Sequence, residues 1–463
     1  MPTSLPPELH LLVFADLPRS SLADVALCCH QFRTLVFPLL YNKVTLRDDD
    51  EMTRFASCII ADDPSRQTRS IDNLNPAEHV KSLYIGPDDG DFRDDALQLL
   101  SSAIPHLKKL QKLVWIASVY GDSEIGEIFT LIRTHCVDFE VLSVKLDWGG
   151  YEHEEYMTSV LDFKGLKHLR LFSDQMSVDD NQLPLVVQEM VRSSPELVTL
   201  DLSFFSWDDE EPLWDVDKFC EGLGGTRYPH LHCLKFPGRG ARVDLGRLRD
   251  ISRATPSPFR SFIELNHHNI TTLSMPHPFE PFDYQRDNAD ADLHLPADIF
   301  PSLRTFEGNI YWCYRISRLR YPASRLQKMT VWTDRPIYRT GEEPARDMVH
   351  SALAACAGLR ELVVRSAKTT ATAARLAELS TYAPGLRALQ CRIHWDESLD
   401  GIASALASFS ALRFFAFNLN DFQRELSVTD AIGKLAERCP SLQDVEDCDL
   451  NVEDHPMFSK YDI

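Results

Sequence analysis

A leucine-centred hexad, apolar-x-x-apolar-x-apolar, returns about a dozen times from His79 to the C-terminus, and no other feature restricts the fold so tightly. Examples are Val80-Lys81-Ser82-Leu83-Tyr84-Ile85, Leu166-Lys167-His168-Leu169-Arg170-Leu171 and Leu197-Val198-Thr199-Leu200-Asp201-Leu202. The first apolar residue falls at Val80, Leu110, Phe139, Leu166, Leu197, Leu231, Ile270, Leu303, Leu326, Leu359, Leu386, Leu412 and Leu442. The mean step of about 30 residues is that of a stacked repeat with one strand and one return per unit. Alternation makes a short strand with one buried face, and the first apolar residue tucks into the turn before it. Parallel stacking then joins the units into one core. The expected class is α/β, a solenoid with parallel strands on its concave face and helices on its convex face.

Several returns read as helices: Met348 to Ala357, Ala371 to Tyr382 and Asp430 to Leu435. Proline or small-residue cues precede many strands, among them Ser194-Pro195-Glu196, Tyr228-Pro229-His230, Phe300-Pro301-Ser302 and Cys439-Pro440-Ser441. Such cues end a helix and turn the chain into the next strand. Residues 235–300 have long steps and much proline, and no repeat boundary is assigned there.

Ahead of the array, Leu5 to Leu46 read differently: LPPELHLLVFADLPRSSLADVALCCHQFRTLVFPLLYNKVTL. Pro6-Pro7 and Glu8 suit the first turn of a helix. Leu9, Leu12 and Val13, with Leu5 and Leu17, give it an apolar stripe that Pro18 stops. A second helix is expected to open at Ser21-Leu22-Ala23-Asp24, a capping-box pattern, and to align Leu22, Val25, Ala26 and Cys29. A third carries Phe32, Leu35 and Val36 before Pro38, and Tyr41 to Leu46 alternates like a strand. So short a segment cannot bury three stripes internally, so one face must meet the repeats or another protein. The expected organisation is a helical docking module over 1–46, a linker with an acidic loop and first repeat cap over 47–78, and about 12–13 irregular repeats over 79–463.

In order and spacing, Leu5-Pro6-Pro7-Glu8-Leu9, Val13-Phe14, Leu17, Leu22, Val25, Cys29, Phe32 and Leu35 resemble the F-box motif. Pro38 to Leu46 resembles the stretch just C-terminal to the F-box in many members that carry leucine-rich repeats. Cys439-Pro440-Ser441-Leu442 is similar to the cysteine-containing form of those repeats. This resemblance implies docking onto a Skp-family adaptor, and through it onto a cullin, in an SCF-type ubiquitin ligase whose protein target is held by the repeats. By matching position it assigns adaptor contacts to Leu5, Pro6, Leu9, Val13, Leu17, Leu22, Val25 and Leu35. His10 and Cys28 depart from the family's usual apolar residues. The alternative is a leucine-rich-repeat protein-binding scaffold without ligase association.

The formal net charge of -21 opposes binding to a phosphate backbone, so no nucleic-acid partner is expected. Acidic runs at Asp48-Asp49-Asp50-Glu51, Asp88-Asp89 and Asp208-Asp209-Glu210-Glu211 are expected in solvated loops. No apolar run is long enough to span a membrane, and MPTSLPPELHLLVF lacks the basic start of a signal peptide. No membrane partner and an intracellular location, cytoplasmic or nuclear, are therefore expected. The eleven cysteines include no C-x-x-C pair and are expected as reduced, mostly buried thiols.

Catalysis is not expected, and no catalytic, cofactor or metal residue is assigned. His267-His268-Asn269 has no second ligand pair at metal-site spacing, and Asp287, Asp290 and Asp292 lack the closing Glu of a calcium loop. The glycines form no phosphate-cradling pattern, and Gly149-Gly150 and Gly224-Gly225 read as turns. A hydrolase built on a cysteine and a histidine such as His135 would need a thiol of depressed pKa. Target binding is expected instead of the outward residues after the second apolar position: Tyr84, Val114, Arg170, Asp201, Lys235, Glu307, Thr330, Gln390 and Glu446. Their signs alternate, so they name no target chemistry. Trp115, Trp148, Phe204, Phe205, Trp332 and Trp395 are expected to fill the solenoid rather than anchor a partner.

Overall fold

A computed structural model describes residues 6–61, 74–86, 92–117, 123–146, 154–173, 183, 185–204, 214–237, 241–244, 248, 256–278, 295–296, 298–332, 343–365, 371–393, 397–417 and 428–447. The chain divides into two compact units, Met1–Ser177 with Leu183–Thr199, and Val178–Gln182 with Leu200–Ile463.

The first unit opens with α1 (Pro7–Ala15), α2 (Arg19–Cys28) and α3 (His30–Asn42), followed by β1 (Lys43–Leu46). Phe14, Leu22 and Val36 form the interior of this trio, with Leu17, Val25, Ala26, Phe32, Leu35, Leu39 and Leu40 packed around them. Two expected boundaries move. α2 begins at Arg19 with Pro18 as its N-cap and no side-chain cap, so Ser21 lies inside the first turn. α3 runs through Pro38 to Asn42, leaving only Lys43–Leu46 as strand. Proline forfeits one backbone donor there, but Val36 and Phe37 in the same turn are buried and hold the helix on its packing surface. Cys29 starts α3 by accepting the Phe32 amide at 3.4 Å, which seats the Phe32 ring against Phe14, with ring centroids 5.4 Å apart.

The acidic run at Asp48 to Glu51 is a helix start, not a loop. The Asp48 carboxylate accepts the Glu51 amide at 2.7 Å, and Glu51 reaches back to the Arg47 amide at 2.9 Å. This reciprocal pair nucleates α4 (Asp49–Ala61), whose acidic first turn also suits the helix dipole. The runs at 88–89 and 208–211 lie outside the described residues.

β1 is the first strand of the array. It pairs in parallel with β2 (Ser82–Ile85), followed by β3 (Lys112–Trp115), β4 (Val141–Lys145) and β5 (His168–Ser173). Two inward rows, Val44-Leu83-Leu113-Leu142-Leu169 and Leu46-Ile85-Trp115-Val144-Leu171, are almost wholly buried. The returns are α5 (Asp94–Ala103), α6 (Ser123–His135), α7 (Glu154–Leu161) and α8 (Leu185–Arg192), each packed on its neighbour from α4 onward. Strands on one side and helices on the other are the leucine-rich-repeat arrangement that the period required.

The second unit carries β6 (Thr199–Phe204, from Leu200), β7 (Trp214–Asp215), α9 (Val216–Gly222), β8 (Cys233–Lys235), β9 (Ala241–Val243), β10 (Thr272–Ser274), β11 (His277–Pro278), β12 (Thr305–Asn309), β13 (Lys328–Trp332), β14 (Glu361–Arg365), β15 (Ala388–Gln390), β16 (Phe414–Phe417) and β17 (Asp444–Asp447). β6, β8, β10 and β12 to β17 continue the repeat order, while β11, β9 and β7 form a separate small parallel sheet. Two of its three strands, β9 and β11, fall within residues 235–300, where no repeat boundary is legible. Nearby, the buried Asp217 of α9 accepts Ser257 Oγ at 2.5 Å and the Phe259 amide at 3.0 Å, tying α9 to the start of the helix Pro258–Asn266.

Each of the thirteen first apolar residues stands two positions ahead of a strand. Eleven are fully buried, while Phe139 and Leu442 are half-buried. A tight turn recurs before them, in which the amide of the first apolar residue donates to the carbonyl three residues back. It appears at Leu110, Phe139, Leu197, Leu231, Ile270, Leu303, Leu359, Leu386 and Leu442. The accepting position is occupied by Cys136, Ser194, His267, Cys356 and Cys439, among others. Cys136 and Cys439 also donate their thiols to carbonyls of the preceding repeat, Leu107 at 3.4 Å and Ala403 at 3.2 Å. Helices at Glu343–Ala355, Ala373–Tyr382 and Val428–Arg438 match the expected returns to within a few residues.

Candidate functional site

α1 carries two apolar faces, because its sequence is apolar nearly all round. His10 and Phe14, one turn apart, face the trio's interior, and Leu17, just past the helix end, packs there as well. His10 lies 5.7 Å from the Phe14 ring and 5.2 Å from Phe32, so its departure from the family pattern serves internal packing. Leu9, Leu12 and Val13, also at 3- and 4-residue spacing, face away and are 45%, 67% and 58% exposed. Leu27 near the end of α2 is 86% exposed, and Cys28 beside it returns its thiol to the Asp24 carbonyl at 3.4 Å.

The assigned docking residues therefore fall into two groups. Pro6, Leu9 and Val13 are exposed. Leu22 is buried in the interior, and Leu17, Val25 and Leu35 pack half-buried around it. Leu5 lies outside the described residues. Leu12 and Leu27, which motif matching did not select, are the most exposed of the module's described leucines. Helical phase opposite Phe14 could have picked out Leu12, whereas Leu27 carried no comparable signal.

On the strands, the expected recognition residues share register rows. Tyr84, Val114 and Arg170 align in the first unit, and Lys235, Glu307, Thr330, Gln390 and Glu446 align in the second. Not all are open. Asp201 is buried against Ser203 Oγ, with Lys235 Nζ at 3.5 Å, and Thr330 is also buried. At these two positions the neighbouring strands crowd a short side chain, so alternation alone overstates exposure. Glu307 accepts the Trp332 indole N–H at 2.6 Å, and Arg365 lies over that indole at 5.0 Å. Trp115, Phe204 and Trp332 are buried, as solenoid filling requires, while Trp148, Phe205 and Trp395 lie outside the described residues.

The histidines and cysteines that could serve chemistry have structural surroundings. His267 Nδ1 accepts the Phe300 amide at 3.2 Å, and Phe300 holds a left-handed φ of 56° at that turn. Burial lowers the His267 pKa, with the neighbouring His268 adding to it. Burial pushes the thiols of Cys136 and Cys356 up to about 12, opposite to what a nucleophile requires. The ten described cysteines form no disulfide with one another; Cys28, Cys29 and Cys58 are exposed rather than buried. Gly224 and Gly225 form the expected turn with φ of 62° and 75°, while Gly149-Gly150, Asp287, Asp290 and Asp292 lie outside the described residues. Among the described residues no helix is long and apolar enough to cross a membrane.

The F-box-like family matches residues 3–47, so the helical trio with β1 is an F-box-like domain, followed here by leucine-rich repeats. No curated protein matches the chain. Among solved structures, a chain of the Rad7 and Elc1 complex in yeast is 12% identical with a TM-score of 0.43, over 95% of this chain and 92% of that one. A chain of the TLR13–ssRNA13 complex is 12% identical with a TM-score of 0.35, over 80% of this chain and 49% of its own. The leucine-rich repeat-containing protein LegL7 from Legionella pneumophila is 13% identical with a TM-score of 0.26, over 80% and 83%.

Proposed function

We propose that this chain is the substrate-recognition subunit of an SCF-type ubiquitin ligase. The observation that carries the reading is the exposed surface of Leu9, Leu12, Val13 and Leu27 on an F-box-like domain. Covering such partly exposed side chains gains about 1 kcal/mol or more each, so apolar surface of this kind favours a complex over a solvated monomer. A Skp-family adaptor covers that surface in this reading and links the chain to a cullin. The outward face of the strands holds the protein target. The chain itself supplies no catalytic group. Its effect on rate is to hold a target lysine near the transferring enzyme, which raises effective concentration.

The test is co-elution of the full chain with a purified Skp-family adaptor in gel filtration. The wild type forms a complex, and Leu9→Asp with Val13→Asp does not, while circular dichroism of the two proteins is the same. A double variant that still co-elutes contradicts the reading.

A further inference from the structure

The outward positions of β1 to β5 form two full rows. One reads Lys43-Ser82-Lys112-Val141-His168 and the next Thr45-Tyr84-Val114-Ser143-Arg170, with Lys145 one step further along β4. These positions hold four Lys or Arg residues and no Asp or Glu, in a chain with 69 acidic and 48 basic residues. The second unit treats its strand charges differently. Lys235 is paired with Asp201 at 3.5 Å and Lys328 with Glu361 at 3.1 Å, and β17 adds Asp444. There the two signs neutralise each other. In the two rows of the first unit nothing comparable happens.

Two of these cations, Lys43 and Lys112, meet at one ring. Lys43 Nζ lies 4.4 Å from the Tyr84 centroid and Lys112 Nζ lies 4.9 Å from it, from the strands on either side of β2. The negative face of the ring holds two like charges close together, yet supplies no full counter-charge. Among the described residues, Lys43, Lys112 and Arg170 have no carboxylate partner. The field is also felt at His168, whose pKa is lowered first by burial and then by Arg170, with Lys112 and Lys167 adding and Glu140 opposing. The nearby Glu140 is taken up by Lys167 at 2.6 Å, so Lys43, Lys112 and Arg170 present a face complementary to an anionic partner.

We propose that this face binds an acidic segment of a partner protein, with Lys43, Lys112 and Arg170 as its charge contacts. The inference rests on the reading of the strand face as the target-binding surface and names the chemistry of the target. Three features favour a peptide over a nucleic acid. Tyr84 has its ring engaged by two ammonium groups and offers no stacking platform for a base. Ser82 places a small hydroxyl side chain between Lys43 and Lys112 in their row, where an extended backbone can lie close. The overall charge of -21 repels a long polyanion, whereas a short acidic segment meets mainly the local field. β1 follows α3 without a linker, so the segment would be bound next to the F-box-like domain.

The test uses the full chain and three fluorescein-labelled probes in anisotropy titrations: a glutamate decapeptide, its glutamine counterpart and an oligothymidylate of equal length. The glutamate peptide binds, the glutamine peptide does not, and affinity falls as salt rises. The triple variant Lys43→Gln, Lys112→Gln, Arg170→Gln weakens binding by about tenfold or more, while Lys328→Gln with Arg365→Gln leaves it within about twofold. Should the triple variant fail to fold by circular dichroism, Arg170→Gln alone is measured and weakens binding about threefold. Equal affinity of a folded triple variant, or of Arg170→Gln, overturns the inference, and so does tighter binding of the oligonucleotide. Adaptor co-elution is run beside it. If that survives while the peptide fails to bind, only this inference falls.

Discussion

The F-box-like domain and the repeats are both rich in leucine, yet they leave their apolar side chains in opposite places. Eight large hydrophobic side chains are exposed among the described residues, and Leu9, Leu11, Leu12, Val13 and Leu27 are five of them. Val137, Leu185 and Tyr382, the other three, are scattered. A repeat buries its leucines because the next repeat covers them, so the rows from Val44 to Leu169 and from Leu46 to Leu171 close on themselves. α1 buries only Phe14 in its own trio and turns a second apolar face outward. Equal hydrophobicity thus encodes self-closure in one region and an open contact in the other.

The contrast can be broken most sharply at α1. Leu9→Asp with Val13→Asp lowers adaptor affinity by about 100-fold or more, since two half-exposed contacts of about 1 kcal/mol each are lost and charges are set against an apolar surface. The same double variant leaves the thermal midpoint unchanged. In the repeats the signs reverse: Leu142→Ala destabilises the fold by about 2–5 kcal/mol in denaturant titration and leaves adaptor affinity as it was. A smaller loss, about 1–3 kcal/mol, is expected of Asp217→Ala, which strands the Ser257 hydroxyl and the Phe259 amide in a buried site.

The smallest effect separates the thiols. Burial favours the neutral form of Cys356, and a pKa raised to about 12 leaves almost no thiolate at pH 8. Iodoacetamide at that pH therefore modifies the exposed Cys28 and Cys29 and spares Cys356 until the chain is unfolded, as peptide mapping would show. Rapid modification of folded Cys356 would contradict the protection that burial confers.

Much of the array was legible because its signal is redundant. Every hexad repeats the same steric demand, so Val80 and Leu412, far apart in sequence, each announce a strand two residues later. The features without a sequence signal depend on single local events. Pro38 looked like a stop, but packing at Val36 and Phe37 outweighed the lost donor. The reciprocal cap formed at Asp48 and Glu51, where a run of acids suggested a loop, and not at Ser21 and Asp24. The small sheet of β7, β9 and β11 uses two- and three-residue strands, too short to show a period. On the recognition face, alternation identified which residues share a row. It could not tell that Asp201 and Lys235 pair with each other while Lys43 and Lys112 converge on Tyr84.

The most direct measurement places a reporter on the open face of α1. In Leu12→Cys, maleimide modification at that position is followed by peptide mapping, with and without the purified adaptor. Fast modification of the isolated chain and strong protection in the complex are the expected results. Slow modification of the isolated chain would mean that the protein covers this face itself, and undiminished modification in the complex would mean that the adaptor docks elsewhere; either result contradicts the account.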